Sequence, residues 1–352
     1  MAEVNLLDRT MLENPAIATR PQVAATARSS LRHDPLNPAA LRFLAMAAEA
    51  RSDLPGALAL ARLSERVTRR DLLTQAMLIE AAVQGGDTAT ALVHYDRALR
   101  TKVNAPALLF PILRAAIEDR EIRRALRPYI GADRPWTEAF LREALSQGTH
   151  PGLVADLLLT PPRSRARITL ASTLSSRMIS DLSAARDYET ARTYYLTLSG
   201  ADPMLLTATA LDVRSTDARF IPLAWQTMDT AQIGVTFEQG ETENGRHAHV
   251  QAGPGASATV LRKVLFLPPG NYVATDVRES LAAGPRASAY WQLSCVNRGA
   301  PAVPIWTSKA GKSEQPVIPA GCSIQMVELV VTGGDGQEGI EFVVRRFELK
   351  RR

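Results

Sequence analysis

The sequence has few aromatic residues, few lysines and few cysteines. Only 5% of its 352 residues are Phe, Trp or Tyr, and only two are Cys. No apolar run reaches the roughly 18 residues that a membrane-spanning helix needs. We therefore expect no transmembrane segment. The hydrophobic content of 46% and the charged content of 22% are ordinary for a folded chain long enough for two domains.

The positive charge is small and evenly spread along the chain. The net charge is +5, with 27 basic and 23 acidic residues in positions 1–215 and 14 and 13 in positions 216–352. A nucleic-acid-binding protein usually concentrates its basic residues on one face. The sequence therefore predicts no nucleic-acid partner but permits an acidic one.

The amino terminus, "MAEVNLLDRTMLENP", is polar. It lacks the apolar core of a secretory signal peptide. Two alternatives follow: the protein is cytosolic, or a leader or membrane anchor has been removed from the sequence.

A 34-residue period runs through the first half of the chain. The segment "GDTATALVHYDRAL" (residues 86–99) contains Ala91, Tyr95 and Ala98. A shift of 34 residues in either direction finds these matching positions: Ala57, Ala61 and Ser64 before it, and Ala125, Tyr129 and Ala132 after it. Small residues at this spacing let two antiparallel helices pack closely. A later copy has Ala191 and Tyr195.

This pattern resembles the tetratricopeptide repeat over roughly residues 20–200. The resemblance implies an α-helical repeat solenoid whose concave groove holds protein partners. The sequence departs from the family at the early Trp, Gly and Tyr of the repeat, which other residues replace. An unrelated helical array, such as a HEAT-like one, remains the alternative. We assign residues 1–19 to an N-terminal segment and residues 20–214 to the repeat domain.

The sequence changes character near residue 215. Short runs of alternating apolar and polar residues appear between turns such as "PPGN" (268–271) and "TGGDGQEG" (332–339). About eight such runs in this length are typical of an antiparallel β-sandwich or jelly roll. We predict a β-sandwich domain over residues 215–352.

The two cysteines are Cys295 and Cys322, each at the end of a predicted strand. A disulfide between them would stabilise the fold by about 3 kcal/mol in the loop-entropy model. It would also indicate an oxidising compartment, the periplasm or the cell exterior. Two buried free thiols in a cytosolic protein are the alternative.

The predicted β domain resembles the jelly-roll carbohydrate-binding modules of secreted proteins. In such modules an aromatic face stacks on a sugar ring while polar neighbours bond its hydroxyls. The resemblance implies candidate glycan contacts at Tyr290, Trp291 and Trp306. Strand alternation places Tyr290 and Trp291 on opposite faces, so one of them is expected in the core. Trp306 is the first choice, and the nearby Lys309 and Lys312 suit an acidic polysaccharide.

No catalytic or metal-binding motif is recognisable. His247 and His249 share one face of a predicted strand, but no third ligand can be identified, and we predict no metal. Neither a phosphate-binding loop nor a nucleophile elbow occurs. We therefore predict no cofactor and no catalytic residue.

The architecture leads to a hypothesis about function. We expect a non-enzymatic scaffold or assembly protein of the bacterial cell envelope, acting in exopolysaccharide export, with protein partners on the repeats and glycan on the β domain. This step from fold to role is by association. The alternatives are a carbohydrate-active enzyme with a site in the β domain or at the domain junction, and a cytosolic adaptor.

Overall fold

The computed structural model describes residues 21–132, 134–159, 172–296, 301–308, 315–335 and 337–352. Lys309 and Lys312 lie outside the described residues. The chain divides into two compact units, Met1–Thr169 and Leu170–Arg352. Within the described residues, no helix has the length and apolar character that crossing a membrane would require.

The first unit is α-helical. Its helices are α1 (Pro21–His33), α2 (Pro38–Glu49), α3 (Leu54–Val67), α4 (Leu72–Gln84), α5 (Thr88–Thr101), α6 (Ala105–Ala116), α7 (Arg120–Gly131), α8 (Thr137–Ser146) and α9 (Pro151–Leu158). Several of these helices are preceded by an aspartate. At α3 and α5, Asp53 and Asp87 accept hydrogen bonds from backbone N–H groups of the first turn. Such capping satisfies donors that have no partner within the helix.

The predicted period is visible in the helix positions. Helices α2 and α4 begin 34 residues apart, as do α3 and α5. Ala57 and Ala91 are buried, as the alignment of the first two copies predicts. The third copy departs from the prediction: Ala125 is only half-buried and Ala132 is exposed. Helix α7 begins 32 residues after α5, which moves the repeat positions off its buried face.

The second unit joins a helical pair to a β-sandwich. The pair is α10 (Ser172–Ala184) and α11 (Tyr188–Thr197). The strands are β1 (Gln226–Thr227), β2 (Ile233–Gln239), β3 (Arg246–Ala252), β4 (Ser257–Leu265), β5 (Gly270–Ala283), β6 (Ser288–Cys295), β7 (Val303–Thr307), β8 (Val317–Ile318), β9 (Gln325–Thr332) and β10 (Ile340–Arg351). The last helical pair therefore lies in the same compact unit as the strands.

In the described part of the chain, the strands form two five-stranded antiparallel sheets. Sheet A has the order β1-β4-β9-β6-β7, and sheet B the order β2-β3-β10-β5-β8. From β3 to β6, successive strands alternate between the sheets, which is the connectivity of a jelly roll. The predicted fold class, helical repeats followed by a jelly-roll-like sandwich, is confirmed.

The inner faces of both sheets share one core. At its centre the Trp291 ring stacks on Phe347 with 3.8 Å between ring centroids, and Trp225 lies 5.6 Å from Trp291. Both tryptophans are almost completely buried. The alternation of side chains along each strand accounts for the apolar composition of this core, because every second residue of a strand points inward.

A disulfide joins Cys295, the last residue of β6, to Cys322, which precedes β9. Their Cα atoms are 5.5 Å apart, within the usual range for such bonds. The predicted pairing is therefore confirmed. The bond is compatible with a periplasmic or extracellular location.

Candidate functional site

The tryptophan of the Tyr290–Trp291 pair belongs to the core. Trp291 has no exposed surface, whereas Tyr290 is half-exposed on the outer face of sheet A. Alternation along β6 predicts this opposition. Trp291 is therefore not available to stack on a sugar at the surface, and of the two only Tyr290 could contact a ligand there.

Trp306 lies on β7, an edge strand of sheet A. Pro304 is in the same strand, and proline is confined to edges because it cannot donate to the ladder. Trp306 is opposite Leu293 of β6 and packs, half-buried, against the sandwich core. A role for Trp306 in glycan binding stays a prediction.

A row of polar side chains crosses the outer face of sheet A. The pairing register places one residue from each strand in line: Gln226, Arg262, Glu328, Gln292 and Thr307. Cross-strand neighbours of this kind lie about 4.5–5.5 Å apart at their Cβ atoms. The row is therefore a continuous polar strip over sheet A.

A cavity of about 300 Å³ lies where the helical pair meets one end of this strip. Arg262, Gln226 and Met326 come from the sheet, and Ser180, Ser183 and Tyr188 come from α10 and α11. Arg186, in the turn between the two helices, adds a second guanidinium to the lining. This volume is at the lower end of the range for small-molecule pockets, roughly 300–1,000 Å³.

Arg262 is the central cation of the site. Its Nε donates a hydrogen bond of 2.7 Å to Oε1 of Gln226. Within the described residues, its two terminal nitrogens make no hydrogen bond and no ion pair. Because a guanidinium can donate five hydrogen bonds, Arg262 keeps donors for a ligand in the cavity.

Glu328 and Tyr188 are the groups near Arg262 whose acidity is altered. Burial raises the pKa of Glu328, although the Arg262 charge and a hydrogen bond with Thr259 oppose the rise. Burial also raises the pKa of Tyr188, so its hydroxyl keeps its proton. The site therefore offers hydroxyl, amide and guanidinium donors beside a half-buried carboxyl group.

The two predicted strand histidines lie on the outer face of sheet B. His249 contacts Glu341 at 2.8 Å and Glu238 at 3.3 Å, while Nδ1 of His247 lies 3.3 Å from Arg345. Among the described residues, no group of three or more His, Cys, Asp or Glu is placed to hold a metal ion. The histidines take part in a surface network of polar and charged side chains.

The strip and the cavity were missed by sequence reasoning. Gln226, Arg262 and Glu328 lie far apart in the sequence, and only the strand register makes them neighbours. The sequence signal that could have found them is a polar residue at an outward position of an otherwise apolar strand, as Glu328 is in β9.

Comparison with known proteins gives little further information. Neither a protein-family model nor a curated protein matches the chain. Several solved chains do match. One, described as TmCBM61 in complex with β-1,4-galactotriose, matches 36% of this chain and 88% of its own length, with 15% identity and a TM-score of 0.24. A likeness this distant leaves the ligand of this chain to be judged from its own residues.

Proposed function

We propose that this protein is a non-enzymatic binding and assembly protein of the bacterial cell envelope, with a role in exopolysaccharide export. Its second unit binds a carbohydrate in the cavity between the helical pair and sheet A. Its helical first unit holds a protein partner, as repeat helices commonly do.

The observation that carries the proposal is the unused donor capacity of Arg262 at the cavity. A sugar presents many hydroxyl groups, and a site for it needs several fixed donors and acceptors. Gln226, Ser180, Ser183 and Tyr188 supply further polar groups in the same lining. Polar groups that converge on one small cavity are the usual mark of a ligand site.

The charge of the cavity favours an acidic sugar. Arg262 and Arg186 both contribute to its lining, and no carboxylate is among the described lining residues, although Glu328 is next to Arg262 on the polar strip. Arginine binds a carboxylate through two parallel hydrogen bonds, which adds both strength and orientation. The Cys295–Cys322 bond supports the envelope location, because disulfides persist in oxidising compartments.

A glycan array with the full chain tests the proposal. The wild type is first applied to acidic and neutral oligosaccharides. Calorimetry then measures the affinity of the wild type, Arg262→Ala and Trp306→Ala for each oligosaccharide that binds on the array. We expect Arg262→Ala to weaken binding of an acidic oligosaccharide by about tenfold or more, equal to about 1.4 kcal/mol. Failure of the wild type to bind any glycan overturns the carbohydrate role, and unchanged binding by a folded Arg262→Ala variant removes the cavity as its site.

A carbohydrate-active enzyme is the second candidate, and Glu328 is the observation in its favour. Its pKa is raised by burial, as that of a general acid must be, although glycosidases use two carboxyl groups. Incubation of the wild type and Glu328→Gln with any glycan that binds decides between the two. Cleavage by the wild type that Glu328→Gln abolishes would replace the binding role with a catalytic one.

A further inference from the structure

A second polar site is a groove in the helical unit, and its composition differs from that of the cavity beside sheet A. It has a volume of about 720 Å³ and lies along the carboxyl ends of α3 and α5. Its charged lining consists of Arg66, Arg69, Arg70, Arg97, Arg100 and Arg134, with Glu65 and Asp96. Six arginines against two carboxylates leave the groove strongly positive, although the whole chain carries a net charge of only +5.

The two carboxylates are occupied by three of the arginines. Arg97 pairs with Glu65, while Arg100 and Arg134 lie 3.6 Å and 3.7 Å from Asp96. These pairs hold one wall of the groove in place and balance part of its charge.

The other three arginines are close together in sequence. Arg66, Arg69 and Arg70 are exposed, and none of them makes an ion pair within the described part of the chain. Favourable interaction with helix dipoles accounts for Arg66 and Arg100, which lie in the last turns of α3 and α5. It does not account for Arg69 and Arg70, which follow the end of α3. The groove therefore carries more positive charge than the helices need.

We propose that this groove binds an acidic peptide segment of a partner protein. The inference rests on the proposed assembly role and names the chemistry of the partner. Carboxylates of an extended segment would pair with Arg66, Arg69 and Arg70, as guanidinium groups do with carboxylates. Because these arginines are exposed, the pairs are screened by salt, and binding weakens as ionic strength rises.

The lining favours a peptide over a nucleic acid. Single-stranded nucleic acids are bound on grooves that combine positive charge with several aromatic rings on which bases stack. Tyr129 is the only aromatic residue in the described lining. Glu65 and Asp96 would also repel neighbouring phosphates, whereas a peptide can place its neutral residues beside them.

The test uses the full chain and a fluorescein-labelled peptide of alternating Glu and Ser, followed by fluorescence anisotropy. A peptide with Gln in place of every Glu is the ligand control. We expect Arg69→Glu/Arg70→Glu to weaken binding of the Glu peptide by about tenfold or more. Raising the salt concentration should weaken wild-type binding as well.

Arg51→Glu/Arg120→Glu is the matched protein control. Both residues are exposed and are not part of the groove lining: Arg51 lies in the turn before α3, and Arg120 is the first residue of α7. This variant changes the net charge by the same amount, so it should bind the Glu peptide within about twofold of the wild type, because surface charges beyond a Debye length are largely screened. Equal loss in both variants would show a general charge effect and overturn the groove as a site.

Two further results separate the possible failures. Tighter binding of a single-stranded RNA than of the Glu peptide, lost in Arg69→Glu/Arg70→Glu, overturns the peptide in favour of a nucleic acid. Absence of any Glu-peptide binding, with glycan binding still sensitive to Arg262→Ala, overturns this inference alone and leaves the carbohydrate role intact.

Discussion

The outer faces of the two sheets are both polar, but they differ in how their charges are satisfied. On sheet B, His249 contacts two glutamates, and Arg345 pairs with Glu279. On sheet A, Arg262 bonds only Gln226 in the described residues and faces a cavity. A polar surface whose charges pair with one another is stable on its own, whereas spare donors beside a cavity are suited to a ligand. Polarity alone therefore does not locate the site.

The largest expected loss of stability comes from a comparison of two neighbouring side chains on opposite faces of sheet A. Trp291→Ala removes a fully buried ring that stacks on Phe347 and should cost about 3–5 kcal/mol of unfolding free energy. Its neighbour Tyr290 faces outward, so Tyr290→Ala should cost much less. Urea unfolding followed by circular dichroism measures both. Similar losses would show that the inner and outer faces are not distinct here.

The next largest effect on stability is expected from a lysine on the inner face of sheet A. Lys263 is completely buried, and its Nζ has no hydrogen-bond partner among the residues that the structure describes. Burial lowers its pKa from 10.5 to about 7, against the opposing charge of Asp212. Lys263→Met keeps the long side chain and removes the amine. We expect this substitution to raise the unfolding free energy by about 3–5 kcal/mol near pH 7, at about 1.4 kcal/mol per pKa unit.

The sign of the pH dependence follows from the lowered pKa. Between pH 7 and 10.5 the unfolded chain binds a proton on Lys263 that the folded chain does not, so wild-type stability rises with pH. The slope from this residue is about 1.4 kcal/mol per pH unit. Urea unfolding from neutral pH to about pH 9 should show this rise in the wild type and not in Lys263→Met. Parallel curves would contradict it.

A smaller effect sets the two outer faces directly against each other. Arg262→Ala should weaken glycan binding by about tenfold or more, or about 1.4 kcal/mol, because Arg262 lines the cavity. Arg345→Ala, on sheet B, should leave binding unchanged. Calorimetry with the same oligosaccharide measures both variants. Equal loss from the two substitutions would place the site elsewhere.

The smallest effect tests the paired surface of sheet B. Arg345→Ala breaks an ion pair with Glu279 between side chains that are 40% and 46% exposed. Exposed pairs contribute little, so the loss of unfolding free energy should be below about 1 kcal/mol. Thermal unfolding at low and high salt measures it. A loss of several kcal/mol would mean that the network on sheet B supports the fold.

Local patterns made much of the fold predictable. The 34-residue spacing predicted the helical repeats of the first two copies, and alternation predicted that Tyr290 and Trp291 lie on opposite faces with one of them in the core. Two cysteines at strand ends indicated one disulfide. Each of these signals depends on residues that are close in sequence or on a residue type with one strong preference, so no long-range pairing had to be known.

The sequence by itself determined the order of helices and strands and which residues of a strand share a face, because those depend on short periods of 3.6 and 2 residues. Only the tertiary structure decided that Tyr188, Gln226 and Arg262 line one cavity, and that arginines from residues 66 to 134 share one groove. Such neighbours are set by strand register and helix packing between distant segments. A shift of register by one residue would turn Arg262 to the other face of sheet A.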